Sequence, residues 1–214
     1  MNTHTDQMNK WESEFGKKYT NRNIITIDEM NNMYCRNIGI TRTKLNEIFL
    51  SDLNISRILE VGCNIGIQLI ILSEMGYKNL YGIELQEYAV DKSKEITKGK
   101  DIHIIKGSAF DIPYKDTFFD FVFTSGLLIH ISPNDINSVL KEIYRCSKKY
   151  IWGYEYYSDI YESIKYRGED NLLWKTDFVK LFTERFNDLK LIKEERFSYL
   201  ENPENIDTMY LLKK

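Results

Sequence analysis

Two acidic residues and two glycines mark the positions where this sequence is best suited to bind a charged ligand. Glu60 lies in a short apolar run and is followed by Gly62 and Gly66 in a turn, while Glu84 lies near the end of the next apolar run. The glycines allow the backbone to approach a ligand, and the helix predicted after them offers free N–H groups. Glu84, about twenty residues past the turn, is suited to accept both hydroxyls of a ribose. The pattern predicts a nucleotide-type site.

The remaining pattern argues against a dinucleotide. A pyrophosphate fingerprint requires Gly-x-Gly-x-x-Gly, whereas Asn64 and Ile67 stand at the second and third glycine positions here. A carboxylate at Glu60 repels pyrophosphate but attracts an ammonium or a sulfonium. Cys63 contributes its backbone to the turn, because no basic neighbour is present to activate its thiol. We therefore expect a ligand with a ribose and a cationic amino-acid end.

Alternating strand and helix patterns place these residues in a parallel sheet. Strands are predicted at 58–61, 80–85, 102–106, 119–124 and 150–156, helices at 67–75, 87–98, 133–145 and 177–186, and a terminal hairpin at 189–199 and 206–212. This alternation is typical of a doubly wound α/β fold, whose ligands bind at the carboxyl ends of the strands. Residues 108–110 and 124–126 follow two of these strands, and 108–110 offer an edge for an adenine ring.

Residues 1–50 precede the first strand, and we expect them to form a helical cap packed on a main domain of residues 51–214. Asp28 and either Thr41 or Thr43 are suitable N-cap residues for two helices in this segment. Residues 11–23 mix aromatic and charged side chains without helical or strand periodicity. They are expected to form either a functional lid or a mobile tail.

Composition limits the partners and the compartment. The 214 residues suffice for one α/β domain, and the net charge of −3 gives no reason to expect a nucleic-acid partner. No apolar run approaches membrane-spanning length, and Met1–Lys10 is too polar for a signal peptide. Cys35, Cys63 and Cys146 lie far apart without metal-ligand spacing. These features predict a reduced, cytoplasmic protein that binds no metal, membrane or nucleic acid.

The glycine turn and the strands around it resemble motifs of the class I S-adenosylmethionine-dependent methyltransferases. Residues 60–66 (Glu-Val-Gly-Cys-Asn-Ile-Gly) resemble motif I, which usually reads acid-x-Gly-x-Gly-x-Gly, with Asn64 at the middle glycine. Residues 82–84 resemble motif II, residues 119–122 resemble the usual start of the fourth strand, and Ser108 stands where many members have Asp. The resemblance implies a Rossmann-like α/β fold with a mostly parallel seven-stranded sheet, helices on both faces and an N-terminal helical cap.

A more specific resemblance covers nearly the whole chain. Residues 11–23, 125–131, 155–157, 166–168 and 173–178 together resemble the pseudaminic acid biosynthesis-associated methylases, small cytoplasmic enzymes encoded beside genes for nine-carbon sugar acids. The resemblance implies methyl transfer from S-adenosylmethionine, with S-adenosylhomocysteine as product. It further implies a small-molecule acceptor, namely a nonulosonic acid or sugar-nucleotide precursor of bacterial surface glycans.

The class I resemblance also implies which residues surround the cofactor. Those expected around its methionine part are Glu60, Gly62, Cys63, Asn64 and Gly66. Glu84 is expected to bind the ribose, and Leu85 is expected to lie against the adenine face. Ser108, Ala109 and Phe110 are expected to frame the adenine, and Ser125 and Gly126 are expected to lie under the sulfur. Tyr19 and Arg22 match aromatic and arginine residues that fold over the cofactor in related enzymes, with Arg22 pairing with its carboxylate.

The residues expected to act on the acceptor of the methyl group follow the fourth and fifth strands. A hydroxyl acceptor must lose its proton, and His130 is a candidate general base, although a structural hydrogen bond would explain it equally. Glu155, flanked by tyrosines, is the second candidate catalytic residue, in contact with substrate. Tyr156, and Tyr166 with Arg167 in the loop after the fifth strand, suit an anionic sugar or a nucleotide diphosphate.

Two other functions remain open at this point. One is a noncatalytic S-adenosylmethionine-binding scaffold or regulator of the same pathway. The other is a nicotinamide-dependent sugar oxidoreductase, which the failed glycine fingerprint disfavours.

Overall fold

A central sheet with helices on both faces positions the glycine turn. The computed structural model describes residues 4–214. The helices are α1 Asp6–Glu12, α2 Glu14–Arg22, α3 Ile27–Ile38, α4 Arg42–Leu50, α5 Ile67–Glu74, α6 Glu87–Ile96, α7 Ile136–Cys146 and α8 Phe178–Arg185. The strands are β1 Ile58–Val61, β2 Leu80–Glu84, β3 Ile102–Lys106, β4 Phe119–Ser125, β5 Ser147–Tyr156, β6 Glu162–Tyr166, β7 Glu169–Lys175, β8 Lys190–Ser198 and β9 Ile206–Lys213. Among these residues, no helix is long and apolar enough to span a bilayer.

The sheet has the order β3-β2-β1-β4-β5-β9-β8, and β9 runs antiparallel to both of its neighbours. The mostly parallel seven-stranded sheet expected from the sequence is thus confirmed. β1 pairs with β2 on one side and with β4 on the other. In such a sheet, successive crossovers diverge at β1 and leave a crevice at its carboxyl end. The glycine turn begins at that point.

The central strands β1 and β4 are buried on both faces, which explains why most of their residues are apolar. Ile58 packs with Phe121 and with residues of α4 and α5 on one face of the sheet. Leu59 packs with Val122 and Ile143 on the other face, which α7 and α8 cover. Helices on both faces are therefore confirmed.

Threonine hydroxyls begin the two longer N-terminal helices. Thr41 caps α4, as expected. The expected cap of α3, Asp28, is wrong by two residues, because Thr26 accepts the backbone N–H of Glu29 at 3.2 Å while Glu29 accepts that of Thr26 at 2.7 Å. This reciprocal pair is the capping-box pattern, Thr-x-x-Glu.

Residues 11–23, which show no periodicity in the sequence, form the end of α1 and all of α2. The two short helices are interrupted at Ser13, whose hydroxyl accepts the N–H of Phe15 at 3.2 Å and so begins α2. α2 packs on α6, while α1 approaches β7. The buried residues of α2, Gly16 and Thr20, lie four residues apart on one face, but neither is a large apolar residue, so the sequence does not mark the buried face clearly.

The α1–α2 pair is joined to the sheet by one glutamine that follows β2. Gln86 Nε2 donates to Trp11 O at 2.7 Å and to Ser13 O at 3.3 Å, and its Oε1 accepts the hydroxyl of Thr20 at 3.1 Å. Gly16 makes this approach possible, since a Cβ there would lie 1.8 Å from Trp11 O and 2.4 Å from Gln86 Nε2.

The segment after β5 departs from the sequence expectation. It was expected to be a loop, but β6 and β7 form a separate two-stranded hairpin, whose turn places Arg167 and Gly168 at φ 52° and 86°. Two residues at positive φ between strands are typical of a tight hairpin turn. The signal was missed because arginine stands at the first turn position, where asparagine, aspartate or glycine is usual.

Two helix starts are also shifted. The helix expected from Pro133 begins at Ile136, because residues 132–135 form a turn in which Ser132 O accepts the N–H of Asp135 at 2.9 Å. The cap of α8 is Asp177, which accepts the N–H of Lys180 at 2.9 Å, instead of Thr176.

We predict that Gly16→Ala releases the α1–α2 pair from Gln86. Alanine favours a helix over glycine by about 1 kcal/mol, so intrinsic propensity cannot be the cause of any loosening. Hydrogen exchange should accelerate in residues 6–22, with the exchange of the sheet strands unchanged. Lys18→Ala, an exposed position of the same helix, is the matched control. Unchanged exchange in residues 6–22 would contradict the prediction.

Candidate active site

A cavity of about 370 Å³, here termed the central cavity, lies at the carboxyl ends of β1, β2 and β4, next to the α1–α2 pair. Most of the residues singled out in the sequence line it. They are Tyr19, Glu60, Gly62, Cys63, Asn64, Glu84, Leu85, Ser108, Ala109, Phe110, Ser125, Gly126, His130, Glu155, Tyr156 and Tyr166.

Three expected residues do not line the central cavity. Arg22 is exposed at the end of α2, with its guanidinium carbon 5.9 Å from the ring centre of Tyr19. Arg167 is exposed at the tip of the β6–β7 hairpin, and Gly66 is buried as the N-cap of α5. The structure therefore does not bring either arginine to the cavity, because each sits at the end of an element that faces outward.

The turn after β1 shows how asparagine replaces a glycine. Gly62 and Asn64 have φ of 73° and 48°. Asparagine is one of the few other residues that adopt the left-handed conformation readily. Gly62 must lack a side chain as well, because a Cβ there would lie 2.6 Å from Leu127 Cδ1. The backbone of the turn is thus the one that the middle glycine would provide.

Glu84 connects this turn to the end of β2. Its carboxylate accepts the N–H of Asn64 at 2.8 Å and the N–H of Gln86 at 2.9 Å. Burial raises the pKa of Glu84, and these backbone N–H groups partly offset that effect. A carboxylate has about four lone-pair sites, so both oxygens can still accept ligand hydroxyls.

Glu60 is a buried carboxyl group in the cavity wall, and one of its oxygens lacks a partner among the described residues. It is 2% exposed, and its Oε2 has no hydrogen-bond partner among the described residues. Burial raises the pKa of Glu60 well above its usual value, and the charge of Arg42 opposes this only in part. A cationic ligand group in the cavity would supply the missing charge, as the sequence predicts for an ammonium or a sulfonium.

Comparison with known proteins agrees with this geometry. Residues 59–150 match the model of a family described as a methyltransferase domain. A structure of an S-adenosylmethionine-dependent methyltransferase from Leishmania major superposes with a TM-score of 0.72 and 19% identity over 98% of this chain and 87% of that chain. The chain has the class I methyltransferase fold.

Other relatives show how far the comparison extends. The chain is 26% identical to the sterol 24-C-methyltransferase of Schizosaccharomyces pombe over 161 residues, 71% of this chain and 42% of that protein. It spans about half or less of the length of the curated relatives it matches. The [4+2]-cyclase SpnF also superposes, with a TM-score of 0.64 and 15% identity over 80% of this chain and 79% of that chain. The fold therefore does not by itself determine the reaction.

The residues of the central cavity fit S-adenosylmethionine. Glu60 offers a buried carboxyl group whose charged form a cationic ligand group would favour, Gly62 leaves room for close approach, and Glu84 is oriented by two backbone N–H groups. Within residues 4–214, no group of three or more His, Cys, Asp or Glu side chains is arranged to hold a metal ion.

The α1–α2 pair closes the central cavity from the side of the β6–β7 hairpin. Trp11 packs edge-on against Tyr19 and His130, with ring centres 5.1 and 4.6 Å apart. Lys10 pairs with Glu169 of the hairpin at 2.6 Å. The indole Nε1–H of Trp11 has no partner among the described residues and is available to a ligand. Gln86 was not chosen from the sequence, since it lies in no recognisable motif, and Trp11 was included only as the first residue of the segment 11–23.

His130 is held as a neutral ring. Its Nδ1 lies 2.7 Å from Leu172 O, and because a carbonyl only accepts, Nδ1 carries the proton. Burial lowers the pKa of His130 to about 4. Nε2 therefore carries the lone pair, and the ring lines the cavity.

Glu155 accepts hydrogen bonds from the backbone segment that contains His130. Its carboxylate, 1% exposed, accepts the N–H of Leu127 at 3.2 Å and of Ile129 at 3.4 Å. Burial raises the pKa of Glu155 to about 7, although these bonds favour its charged form. The contacts place this side chain under the 3₁₀ turn Leu128–His130, where it orients the histidine.

Asp207 is an acidic residue of the cavity that sequence reasoning missed. It is 2% exposed, and its Oδ2 accepts the hydroxyls of Tyr154 at 2.5 Å and Tyr199 at 3.1 Å, whereas Oδ1 has no partner among the described residues. Burial raises the pKa of Asp207 to about 6. The available signal was one acidic residue within the apolar run of β9.

A second missed charge lies beneath the cavity. Arg42 of α4 is fully buried, and its guanidinium donates to Asn46 Oδ1 and to the Tyr34 hydroxyl, each at 3.0 Å. The rings of Trp152 and Tyr154 lie 5.1 and 4.7 Å from its guanidinium carbon. Its positive charge lowers the pKa of both Glu60 and Asp207 from the values that burial alone would produce.

We predict that Asp207 makes the protein less stable as pH rises from about 4 to 6. Its folded pKa of about 6 exceeds the usual 3.8, so the folded state holds the proton more tightly in that window. The free energy of unfolding should fall there by up to about 3 kcal/mol relative to Asp207→Asn, and the difference should be constant above that range. Urea unfolding at several pH values measures it. Asp52→Asn, at an exposed position, controls for net charge, and parallel pH profiles for wild type and Asp207→Asn would refute the assignment.

We also predict that His130 stays neutral with its proton on Nδ1 from pH 8 to 5. The reason is its lowered pKa of about 4 and its bond to Leu172 O. Long-range ¹⁵N–¹H NMR of the imidazole reports the tautomer directly, and His130→Asn assigns the signals. A ring that becomes doubly protonated above pH 5 would show that the site is wetter than the structure indicates.

Proposed function

We propose that the protein transfers a methyl group from S-adenosylmethionine to a small anionic sugar, a nonulosonic acid or sugar-nucleotide precursor of bacterial surface glycans, in the cytoplasm. The observation that carries the transfer is the buried, unpartnered carboxylate of Glu60 beside the oriented carboxylate of Glu84 in one cavity. The acceptor class rests on the resemblance of residues 125–131, 166–168 and 173–178 to the pseudaminic acid-associated methylases.

The cofactor supplies a methyl group activated by its sulfonium charge. Glu60 would bind its ammonium end, Glu84 its ribose hydroxyls, and Ser108, Ala109 and Phe110 would frame its adenine. Residues 1–50 would act as a lid, since α1 and α2 contact both Gln86 and the β6–β7 hairpin. The lid would exclude water from the reacting groups.

The residues of the chain itself would align the reacting groups and accept the proton of the acceptor hydroxyl. Methyl transfer is a displacement whose rate depends on the alignment of nucleophile, methyl and sulfur. The Nε2 lone pair of His130 would accept the proton of the acceptor hydroxyl, whose acidity rises as the new carbon–oxygen bond forms. A weakly basic ring suffices for that late transfer. Glu155 would act through the turn that it stabilises.

The first test is cofactor binding by calorimetry. We expect S-adenosylhomocysteine to bind and NAD not to bind. Glu84→Ala should weaken that binding by about 1.5–3 kcal/mol, the scale of hydrogen bonds to charged groups. Glu87→Ala removes an exposed carboxylate three residues further on and should leave the affinity unchanged. No binding of S-adenosylhomocysteine to the wild type would refute the proposal.

A second test separates an enzyme from a noncatalytic cofactor-binding scaffold. Candidate sugar acids and sugar nucleotides are incubated with the protein and with cofactor that carries a ¹³C-labelled methyl group. The masses of the products are then measured by mass spectrometry. Transfer of the label supports the enzyme. Binding of S-adenosylhomocysteine without label transfer to any of them would favour the scaffold.

A further inference from the structure

A second cavity of about 430 Å³ adjoins the central cavity and is not explained by cofactor binding. It lies between α3, the β6–β7 hairpin and the loop that joins β8 to β9. Both cavities are lined by Tyr156, Tyr166, Leu173 and Tyr199, so the two cavities share one largely aromatic wall. A molecule in the second cavity would therefore contact residues that also line the central cavity.

Two cationic side chains from separate elements line this second cavity. Lys175 ends β7, and Arg36 comes from α3. Within residues 4–214, neither has a carboxylate within 4.0 Å, although Glu201 also lines the cavity. Two cations without a paired carboxylate therefore line the same cavity, where a ligand anion would contact both.

Lys175 is held in place without being neutralised. Its ammonium donates to Asn205 Oδ1 at 2.7 Å and lies 5.6 Å from the ring centre of Tyr156. An ammonium has three donors, so two remain for a ligand. An amide and a ring orient the charge but do not cancel it, which is the arrangement expected of a site for a carboxylate or a phosphate.

The rest of the lining suits a polyhydroxylated molecule. Asn37, Asn202 and Asn205 offer amides that both donate and accept, and Tyr156 and Tyr199 offer ring faces and hydroxyls. Tyr199 also donates to Asp207 Oδ2 at 3.1 Å, which joins this wall to the polar end of the central cavity. A sugar ring has the matching combination of hydroxyl groups and C–H faces.

We infer that the second cavity is the acceptor subsite, in which Arg36 and Lys175 bind the anionic group of a sugar while the sugar reaches the cofactor past the shared tyrosines. The inference rests on the proposed methyl transfer and adds the residues that recognise the acceptor. The anionic group is the carboxylate of a free sugar acid or the phosphate of a sugar nucleotide, which the two cations accommodate equally.

The test measures binding of defined probes by calorimetry in the presence of saturating S-adenosylhomocysteine. The probes are N-acetylneuraminic acid, its methyl ester, which has the same skeleton without the charge, and UDP-N-acetylglucosamine, which has phosphates but no carboxylate. We expect the acid to bind at least tenfold more tightly than its ester. Tight binding of the UDP-sugar alone would support the subsite and assign the anion to a phosphate.

Variants assign the binding to the second cavity. Lys175→Gln and Arg36→Gln should each weaken binding of the anionic probe at least tenfold and leave the affinity for S-adenosylhomocysteine unchanged. Lys165→Gln removes an exposed charge of the same hairpin that lines neither cavity and is the matched control. Arg36 is exposed, so its variant tests the site even where Lys175→Gln lowers the melting temperature.

The outcomes distinguish the two proposals. If S-adenosylhomocysteine binds but no anionic probe does, or if acid and ester bind equally, the acceptor subsite is refuted while the cofactor site stands. Equal binding of the probe by wild type and both glutamine variants refutes it as well. If S-adenosylhomocysteine itself does not bind, the proposed function fails.

Discussion

One carboxylate holds the site together. Glu84 accepts the N–H of Asn64 after β1 and the N–H of Gln86 after β2, so the ends of two neighbouring strands are fixed by a single side chain. Gln86 in turn binds Trp11 O and Thr20 of the α1–α2 pair. The glycine turn, the end of β2 and the cover of the cavity are therefore coupled through two residues, Glu84 and Gln86, that are separated only by Leu85.

The same site contains two acidic side chains whose burial in the charged form is electrostatically unfavourable. Glu60 and Asp207 are almost completely buried, and each has one oxygen without a partner among the described residues. Arg42 opposes their raised pKa values but lies beyond ion-pair distance within the described chain. Burying a charge without a partner costs several kcal/mol. A cationic cofactor would recover that energy at Glu60, which is a physical reason for the domain to bind S-adenosylmethionine rather than a neutral nucleoside.

Different elements supply different parts of the central cavity. The parallel strands supply the acidic residues Glu60 and Glu84, whereas the α1–α2 pair and the β6–β7 hairpin supply aromatic groups around the cavity. These outer elements meet through Lys10–Glu169 and through Trp11 on His130. Differences in such peripheral elements allow one fold to carry methyl transfer in one protein and other chemistry in another.

The sequence by itself determined the parallel sheet and the position of the cofactor cavity. Both depend on local signals, namely the apolar runs of buried strands and the glycine turn around Gly62, and these signals survive without knowledge of distant contacts. Only the tertiary structure decided that Arg22 and Arg167 point away, that Glu155 binds a turn, and that Asp207, Arg36 and Lys175 line cavities. Those outcomes depend on which elements pack together across many residues, and no local pattern of residue types encodes that packing.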